Sequence, residues 1–543
     1  MSAWEDGSPD ATIAIVGEAP AAYEIRANKP FVGPAGHVLE EALHSAGIVR
    51  RGCYITNVFQ DLVRKSKDGD VFISGETGNI LWSDKHGFTE EGQEHLDALR
   101  MRLNACGANV IVPLGSTALE ALYGERSIMK WRGSILPSIG LDKVRKLVPS
   151  VHPAAILRGQ PLWKYLLVHD MKRVKEEEGS PLLSPTEREI LIEPTYPEAV
   201  AFLKEAKAAP RIATDIEVYN HQVSCFSIAL NPNLVMSIPL LAENYDYFME
   251  SEEVEIWRLY AEILGDTKIQ KINQNISFDI WFLYHQMGIF TRGELGDTMV
   301  AQHILYPDFP KGLDFICSIH TREPYYKDDG KLWSRPQRDL KRFWQYNAKD
   351  AAVAMEAWDK LYKEMIEGEY LENYHFTMNM VEPLVFMQTK GILVDQEKLN
   401  ATKKEVSILI EQKTEELNRM AKKPFNPGSP KQCQEYFYGT LGLKPYLNNK
   451  TGRPSTDDLA LARIIRRDRI PEARLVQEIR TLNKLSDSYL SVQLDRDGRI
   501  RCSYNIRGTV TGRLSSSKTI FGTGMNMQNI DPRFRSFMVA DAD

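Results

Sequence analysis

Short β-branched runs alternate with helix-compatible stretches through the first part of the chain. ATIAIVG (11–17) and ANVIVPLG (108–115) each end in glycine, and a stretch that can form a helix follows each of them. This alternation predicts an α/β domain with parallel strands. Farther along, RIATDIEV (211–218) and VSCFSIAL (223–230) are strand-like and close enough to form a hairpin. They predict a second α/β domain, which we expect to end with a helix near Tyr362.

Beyond that helix the pattern changes to that of long helices. Asp395 is a candidate N-cap, and the stretch after it places apolar side chains on one helical stripe. These side chains are Leu399, Val406, Ile410 and Leu417. Between the two α/β segments, the charged stretch KEEEGSPLLSPTEREI (175–190) contains Pro and Ser and predicts a linker.

Length and composition agree with three globular domains. The chain has 543 residues, which at roughly 100–200 residues per domain predicts about three domains. We place them at 1–175, 190–365 and 366–543. Hydrophobic residues make up 43% and charged residues 26% of the sequence, which excludes collagenous, low-complexity and wholly disordered chains.

Apolar runs, net charge and cysteine spacing indicate which kinds of protein and which kinds of site to expect. The sequence has no run of about 18 apolar residues and begins with the acidic MSAWEDGSPD, so we predict a cytoplasmic protein with no membrane partner. The formal net charge is −6, so any nucleic-acid binding must depend on local basic surface. The 6 cysteines lie far apart without a C-x-x-C pair, which predicts reduced core residues rather than a zinc, iron–sulfur or redox site.

Acidic residues recur on three predicted elements of the middle domain at spacings that put side chains on one face. Asp215 and Glu217 are two apart on a strand. Asp279 lies four residues after Asn275 at a predicted helix entry, and Asp350 lies four residues after Tyr346 on a third element. Taken singly, each signal is weak, because a D-x-E triplet is usually an exposed strand face and YxxxD a solvated helix face. Together, four carboxylates on three elements are what a two-metal phosphodiester hydrolase needs. Tyr346 would orient the attacking water.

The order and spacing of these motifs resemble the DEDD exonucleases of the tyrosine subclass, all three of whose motifs are intact here. The resemblance implies a ribonuclease H-like fold and 3′–5′ hydrolysis with two Mg²⁺ or Mn²⁺ ions. The metal ligands would be Asp215, Glu217, Asp279 and Asp350, and Asn275 would contact DNA. Asp297, in GDTMVAQHIL, is expected to orient structure rather than bind metal.

The last segment is rich in basic residues set among Gly, Ser and Thr. Arg501, Arg507, Arg513 and Lys518 give it a composition that suits phosphate and minor-groove contacts, although composition alone favours a basic surface loop. The strings TVTGRLSS (509–516) and MNMQNI (525–530) resemble the thumb and early palm of family A DNA polymerases. That resemblance implies a mainly helical thumb.

The same resemblance assigns expected roles to four residues. Arg513 would contact the minor groove of primer–template DNA, Gln528 and Asn529 would lie beside the duplex, and Asp543 matches an aspartate that binds the catalytic metals. The fingers and the second metal-binding aspartate of that family have no counterpart in these 543 residues. We therefore expect an incomplete palm, truncated or completed by a second chain, and no primer extension from deoxynucleotides by this chain alone.

The amino-terminal segment carries polar residues at the ends of several predicted strands. Three strings carry these residues: GEAPAAYEIRANKPFVG (17–33), YITNV (54–58) and SVHPAAILRG (150–159). We expect them to converge at the carboxyl edge of a parallel sheet, although any one of them alone could simply form a turn. Together they resemble the uracil-DNA glycosylase superfamily, nearest its family 4. The family's early C-x-x-C is absent, so we expect no iron–sulfur cluster. In a separate departure from the family, Ala21 replaces a glycine.

That resemblance implies a pocket for an extruded base. Glu18 would lie in the water-activating motif, Phe31 would stack on the flipped uracil, Asn57 would read the base edge, and His152 would stabilise the departing base.

We interpret the chain as part of a phage-type family A DNA polymerase with proofreading exonuclease activity on single-stranded 3′ ends and primer–template DNA. One alternative is a stand-alone exonuclease resembling ribonuclease D, which TVTGRLSS and MNMQNI argue against. Another is a DNA-binding scaffold whose glycosylase-like domain is not catalytic.

Overall fold

The computed structural model describes residues 5–243, 245–334, 339–448 and 451–541. The chain forms two compact units. One consists of Met1–Asp279 and Ile289–Tyr374, and the other of Ile280–Gly288 and His375–Asp543. The first unit contains the sheets of both α/β domains, and the mixed α/β architecture predicted from the sequence is confirmed.

The amino-terminal domain is built on two sheets. Its strands are β1 (Ile13–Gly17), β2 (Cys53–Asn57), β3 (Val63–Lys65), β4 (Val71–Ser74), β5 (Ile80–Ser83), β6 (Gly87–Phe88), β7 (Val110–Pro113), β8 (Leu136–Pro137) and β9 (Lys146–Leu147). The main sheet has the order β2-β1-β7-β9-β8 and is parallel except for the β8/β9 pair. The strands β3 to β6 form a separate antiparallel sheet in sequence order.

Helices cover the main sheet of this domain. They are α1 (Ala22–Ala27), α2 (Pro34–Ser45), α3 (Glu90–Ala105), α4 (Ser116–Tyr123), α5 (Ile128–Trp131), α6 (Pro153–Leu157) and α7 (Trp163–Glu177). Every residue of β1 and β2 is buried, as expected for strands with both faces covered.

The linker that the sequence predicted from residue 175 starts inside helix α7, because α7 ends at Glu177.

The middle domain is a six-stranded sheet flanked by helices. Its strands are β10 (Glu189–Leu191), β11 (Arg211–Tyr219), β12 (Gln222–Asn231), β13 (Leu234–Pro239), β14 (Gln270–Asn273) and β15 (Leu295–Asp297), in the order β10-β13-β12-β11-β14-β15. Strands β11 and β12 pair antiparallel, which confirms the predicted hairpin. The turn between them is Asn220–His221, with φ values of 48° and 66°. Two positive φ angles match the right-handed twist of a two-residue hairpin.

The helices of the middle domain are α8 (Tyr196–Ala208), α9 (Glu250–Gly265), α10 (Ile276–Met287), α11 (Thr298–Leu305), α12 (Leu313–His320), α13 (Leu340–Glu367) and α14 (Leu371–Met378). A 3₁₀ segment covers Lys327–Ser334. Helix α13 packs against the sheet with many small residues, and it ends five residues later than the sequence predicted.

The second unit is mainly helical. It contains α15 (Val381–Lys390), α16 (Gln396–Ala421), α17 (Pro430–Gln434), α18 (Asp458–Arg463), α19 (Pro471–Leu485) and α20 (Pro532–Arg535), with strands β16 (Ile392–Val394), β17 (Arg499–Ile500), β18 (Ser503–Asn505), β19 (Ser515–Ser517) and β20 (Met538–Val539). The Asp395 side chain accepts a hydrogen bond from Lys398 N, which confirms the predicted N-cap. Leu399, Val406 and Leu417 are buried on α16, as the stripe predicted.

Two further expectations can be compared with the described residues. All 6 cysteines are buried and unpaired, in agreement with the prediction that they are core residues. Among the described helices, none is long and apolar enough to cross a membrane.

Candidate active sites

Strand β11 carries the first pair of carboxylates of the middle domain. Asp215 and Glu217 are two residues apart, so their side chains project from the same face of the sheet. The Asn347 amide Nδ2 donates to Asp215 Oδ2 at 3.0 Å, and Ser237 Oγ donates to Asn347 Oδ1 at 2.9 Å. This chain of hydrogen bonds fixes the Asp215 carboxylate, and sequence analysis did not identify Asn347 as part of it.

Helix α13 brings a third carboxylate to the same place. Its Tyr346 and Asp350 lie four residues apart and are both buried. Carboxylate oxygens of Asp215, Glu217 and Asp350 lie within 4.8 Å of one another. The fold therefore brings together side chains from a strand and a helix that are far apart in sequence.

Asp279 and Asn275 flank the start of helix α10 in different ways. Asp279 is buried in the first turn, and its Oδ1 accepts a hydrogen bond from Ile216 N on β11 at 3.1 Å. Asn275 precedes the helix with a φ of 64°, in the left-handed region. The prediction that the two side chains share a helix face is therefore wrong for Asn275, because that residue is outside the helix.

The Asp297 carboxylate holds the backbone at the start of helix α10 in this conformation. It accepts hydrogen bonds from Asn275 N at 3.2 Å and Ile276 N at 3.0 Å, and it also caps α11 through Met299 N and Val300 N. One buried carboxylate thus binds the first amides of two helices. The expectation that Asp297 orients structure agrees with these contacts.

Besides Asn347, two residues of the site were missed in the sequence analysis. The Tyr326 hydroxyl donates to Asp350 Oδ1 at 2.7 Å, and Lys327 Nζ donates to Asp350 Oδ2 at 2.5 Å and to Tyr346 OH at 2.6 Å. Both residues lie where the chain leaves an irregular stretch, so no periodic spacing connects them with YxxxD. Only the folded structure shows that the Lys327 ammonium neutralises part of the negative charge.

Burial disfavours ionisation of Asp215, Glu217 and Asp279. Burial, followed by the charges of Glu217 and Asp350, raises the pKa of Asp215 well above its ordinary value. Burial and Asp350 raise the pKa of Glu217 to about 8. Burial raises the pKa of Asp279 to about 7, although hydrogen bonds from neighbouring groups oppose the rise. A cation at the site would relieve this repulsion.

The donor set fits a divalent cation. Three carboxylates offer only oxygen ligands, which hard cations such as Mg²⁺ and Mn²⁺ prefer. The buried, mutually repelling acids give such an ion a favourable electrostatic environment.

The four pocket residues predicted in the amino-terminal domain also come together. Glu18 follows β1, Asn57 ends β2, and His152 is the N-cap of α6, so all three stand at the carboxyl edge of the parallel sheet. The Phe31 and His152 rings are 5.8 Å apart between centroids. A Cβ on Gly17 would lie 2.2 Å from Asn57 Oδ1 and 2.7 Å from the Phe31 ring, so only glycine allows this approach.

The Glu18 carboxylate is held by two partners. Lys65 Nζ lies 2.6 Å from one oxygen, and Thr117 Oγ1 donates to the other at 2.7 Å. Burial opposes ionisation, but Lys65 and Thr117 outweigh it and hold the pKa of Glu18 below its ordinary value. Sequence analysis missed Lys65, which lies on the separate sheet.

His152 is neutral at physiological pH. Burial lowers its pKa to about 4. Its Nδ1 accepts a hydrogen bond from Ala154 N at 3.1 Å, so the proton of the neutral ring is on Nε2. Nε2 can therefore donate a hydrogen bond to a negatively charged leaving group.

The predicted DNA-contacting residues of the second unit lie on its surface. Arg513, Gln528 and Asn529 are exposed, and Gln528 Nε2 donates to Leu514 O at 2.7 Å. Asp543 lies outside the described residues. Two other residues of the predicted basic stretch have internal partners, so their expected availability to phosphate is wrong. Arg501 is 8% exposed and binds Asp495 and Asp497, and Arg507 donates to Thr377.

Three family models match this chain. The model of the uracil DNA glycosylase superfamily matches residues 4–170, that of 3′–5′ exonuclease matches residues 194–366, and that of DNA polymerase family A matches residues 396–541. The last match favours the polymerase interpretation over the ribonuclease D alternative.

Curated proteins with similar sequences are DNA polymerases. The DNA polymerase of Bacillus phage SP01 is 23% identical, over 94% of this chain and 62% of that protein. DNA polymerase I of Pseudomonas aeruginosa is 28% identical, over 61% of this chain and 38% of that protein. The chain thus spans less than two thirds of the length of these relatives.

A solved structure is also similar, the POL domain of Pol1 from M. smegmatis in complex with DNA primer-template and dNTP. Its TM-score is 0.49 at 22% identity, over 63% of this chain and 56% of that one. By the family models, residues 4–170, 194–366 and 396–541 are similar, in that order, to the uracil DNA glycosylase superfamily, to 3′–5′ exonuclease and to part of DNA polymerase family A.

Proposed function

We propose that the middle domain hydrolyses DNA from its 3′ end as the proofreading exonuclease of a family A DNA polymerase. The observation that carries this proposal is the approach of Asp215, Glu217 and Asp350 oxygens to within 4.8 Å. Tyr346 stands beside this group through its hydrogen bond with Lys327. A buried cluster of this kind is expected where charge develops on a phosphoryl group.

The reaction is addition of water to the phosphorus of the terminal phosphodiester. The bond to the 3′ oxygen of the preceding nucleotide breaks, that oxygen takes a proton, and a nucleoside 5′-monophosphate leaves. Asp215, Glu217, Asp279 and Asp350 would hold Mg²⁺ or Mn²⁺. When bound, such ions supply charge stabilisation and a more acidic water. Tyr346 orients the water, and Asn275 contacts the strand.

The purified chain is expected to shorten single-stranded DNA from the 3′ end in Mg²⁺ or Mn²⁺ and to stop when the metal is chelated. The reason is that the carboxylates repel one another without a cation. The measurement is digestion of a strand labelled at its 5′ end, resolved nucleotide by nucleotide. An RNA strand of the same sequence is the comparison. Faster digestion of RNA would favour the ribonuclease D-like alternative, and digestion in chelator would contradict the metal site.

We further propose that residues 396–541 bind primer–template DNA through exposed basic side chains, with Arg513, Gln528 and Asn529 beside the duplex. Arg513 is exposed in the turn between β18 and β19. An exposed arginine can reach a phosphate or a groove edge without breaking many contacts within the protein.

Replacement of Arg513 by alanine is expected to weaken binding of a primer–template duplex by about threefold to tenfold and to reduce the salt slope by about one. The measurement is fluorescence anisotropy at several salt concentrations with chelator present. Arg496→Ala is the control, because Arg496 is an exposed arginine of the same unit outside TVTGRLSS. Equal losses in both variants would show that Arg513 contributes only general charge.

A second candidate function concerns the amino-terminal domain. The convergence of Glu18, Phe31, Asn57 and His152 supports a pocket for an extruded base. Both Glu18 oxygens are bonded inside the protein, so this carboxylate is poorly placed to activate water. We propose that the domain holds DNA and excises uracil weakly at most.

The full chain, given a uracil-containing single strand with chelator to suppress digestion, is expected to form few abasic sites. Lys65→Met should raise the yield by about tenfold, because it releases Glu18 from its ion pair. The measurement is strand cleavage by hot alkali. Any residual excision should disappear in Asn57→Ala and in His152→Ala. Rapid excision by the unmodified chain would show that the domain is an efficient glycosylase.

A further inference from the structure

Residues 325–330, here called the bridging segment, contact both the exonuclease site and the amino-terminal domain. On one side, Tyr326 and Lys327 donate to the two carboxylate oxygens of Asp350, at 2.7 Å and 2.5 Å. Lys327 Nζ also donates to Tyr346 OH at 2.6 Å and lies 4.4 Å from the centre of the Tyr346 ring. The bridging segment therefore determines how both side chains are oriented.

On its other side, the bridging segment contacts helix α5 of the amino-terminal domain. Lys130 Nζ lies 2.8 Å from Asp328 Oδ2, and the rings of Trp131 and Tyr325 are 5.4 Å apart at an interplanar angle of 66°. An edge-to-face pair of aromatic rings and an ion pair thus join the two domains at this place. The residues that flank Tyr326 and Lys327 on either side are the ones that bind α5.

The fit between the bridging segment and helix α13 is close. A Cβ on Gly330 would lie 2.7 Å from Tyr346 Cζ and 2.9 Å from its hydroxyl oxygen. The Tyr346 ring is also stacked on Phe343, with centroids 6.2 Å apart, so it has little room to move. A shift of the bridging segment would therefore displace the tyrosine or open a gap beside it.

We propose that Lys327 is a positioning residue of the exonuclease site, and that the amino-terminal domain acts in exonuclease chemistry by anchoring the bridging segment that carries it. Lys327 binds Tyr346 and Asp350 at once, so it fixes their relative orientation. Helix α5 holds the segment through Lys130–Asp328 and Trp131–Tyr325. This proposal rests on the exonuclease function proposed above and adds a role for the amino-terminal domain that does not require base excision.

The position of Lys327 also matters for charge. The site gathers Asp215, Glu217, Asp279 and Asp350, and the substrate brings a phosphodiester anion. An ammonium that binds one oxygen of the proposed ligand Asp350 offsets part of this charge. Loss of it should slow the reaction more than it weakens binding of the strand.

The first experiment compares Lys327→Ala with Lys327→Arg in the full chain. For a residue that orients groups bound to a metal, we expect a loss of kcat of about tenfold to a hundredfold in the alanine variant, with KM for DNA within about twofold. Arginine keeps the charge and should restore part of kcat. Lys268→Ala is the control, an exposed lysine of the same domain. If the alanine variant fails to fold, Lys327→Met retains the aliphatic stem.

The second experiment tests the anchor by charge exchange. Lys130→Glu and Asp328→Lys should each lower kcat by about threefold to tenfold, since each replaces attraction by repulsion in a partly exposed pair. The double variant should recover part of the loss, because Lys331, which lies 3.0 Å from Asp328 Oδ1, would repel a lysine at position 328. Hydrogen exchange of the metal-free protein should show faster exchange at 325–330 in each single variant, and slower exchange again in the double variant. Lys143→Glu is the control, because it makes the same charge change at an exposed lysine of the amino-terminal domain outside the contact with the bridging segment.

The outcomes separate this proposal from the exonuclease assignment. A kcat within twofold of wild type for Lys327→Ala, or a loss confined to KM, overturns the positioning role. If Lys130→Glu shows the same hydrogen exchange at 325–330 and the same kcat as the control Lys143→Glu, the proposed role of the amino-terminal domain is overturned. Wild-type protein that fails to digest DNA in Mn²⁺ overturns the exonuclease function itself, while the exchange arm still reports on the anchor.

Discussion

Asp215→Asn is expected to reduce metal-dependent 3′ digestion by about a thousandfold or more, while the protein remains folded. The variant keeps the shape of the side chain and its hydrogen bond with Asn347. It removes one negative oxygen from the group formed with Glu217 and Asp350. A hard cation depends on that charge, and a thousandfold loss corresponds to about 4 kcal/mol of transition-state stabilisation.

The measurement is single-turnover digestion of a labelled strand at saturating protein, in both Mg²⁺ and Mn²⁺. Asp308→Asn is the matched control, because Asp308 is an exposed aspartate of the same domain. It should retain full activity. An Asp215→Asn protein that digests DNA at the control rate would show that the carboxylate group is not the hydrolytic centre.

Local pattern predicted much of this site. Strand periodicity placed Asp215 beside Glu217, and helix periodicity placed Tyr346 beside Asp350, because those relations depend on backbone geometry within one element. The helix pattern failed at Asn275, since hydrogen bonds to the distant Asp297 hold that residue in a left-handed conformation outside the helix. A contact with a residue far along the chain decided the local conformation.

The residues that sequence analysis missed share one property. Lys327 binds a carboxylate 23 positions away, and Lys65 binds Glu18 from a different sheet. No fixed spacing relates such pairs, because the connection between them is irregular or passes through another element. Arg501 is a different case, because its place in a basic stretch suggested phosphate contacts, whereas Asp495 and Asp497 bind it inside the fold.

The largest effect on stability is expected at Arg132 and Asp170 in the amino-terminal domain. Both side chains are 0% exposed. Arg132 Nε donates to Asp170 Oδ2 at 3.1 Å, and its Nη1 donates to Ser318 Oγ of the middle domain at 2.9 Å. Ser150 Oγ donates to the same aspartate at 2.6 Å. A fully buried pair with every partner in place joins the two domains.

Breaking this pair leaves an unpaired buried charge. Asp170→Leu should therefore destabilise the first unit by about 3–5 kcal/mol, because Arg132 loses its counter-ion in an environment with little water. The measurement is the denaturant midpoint of the first unfolding transition, since a chain of several domains does not unfold in two states. Arg258→Met is the control. Arg258 forms ion pairs on an exposed helix surface, and its loss should change the midpoint far less.

Removing the charge pair together with the hydroxyl that binds Asp170 tests the reason for the loss. The triple variant Arg132→Met, Asp170→Leu, Ser150→Ala removes both charges and the hydroxyl that binds them, and Ser318 keeps its hydrogen bond to Phe315 O at 2.8 Å. Replacement of a buried ion pair by apolar groups of similar size is often close to neutral. The triple variant should thus be more stable than Asp170→Leu alone, although it carries more substitutions. If instead the triple variant is the less stable of the two, the pair contributes net attraction between the domains, and the unpaired charge is not what destabilises Asp170→Leu.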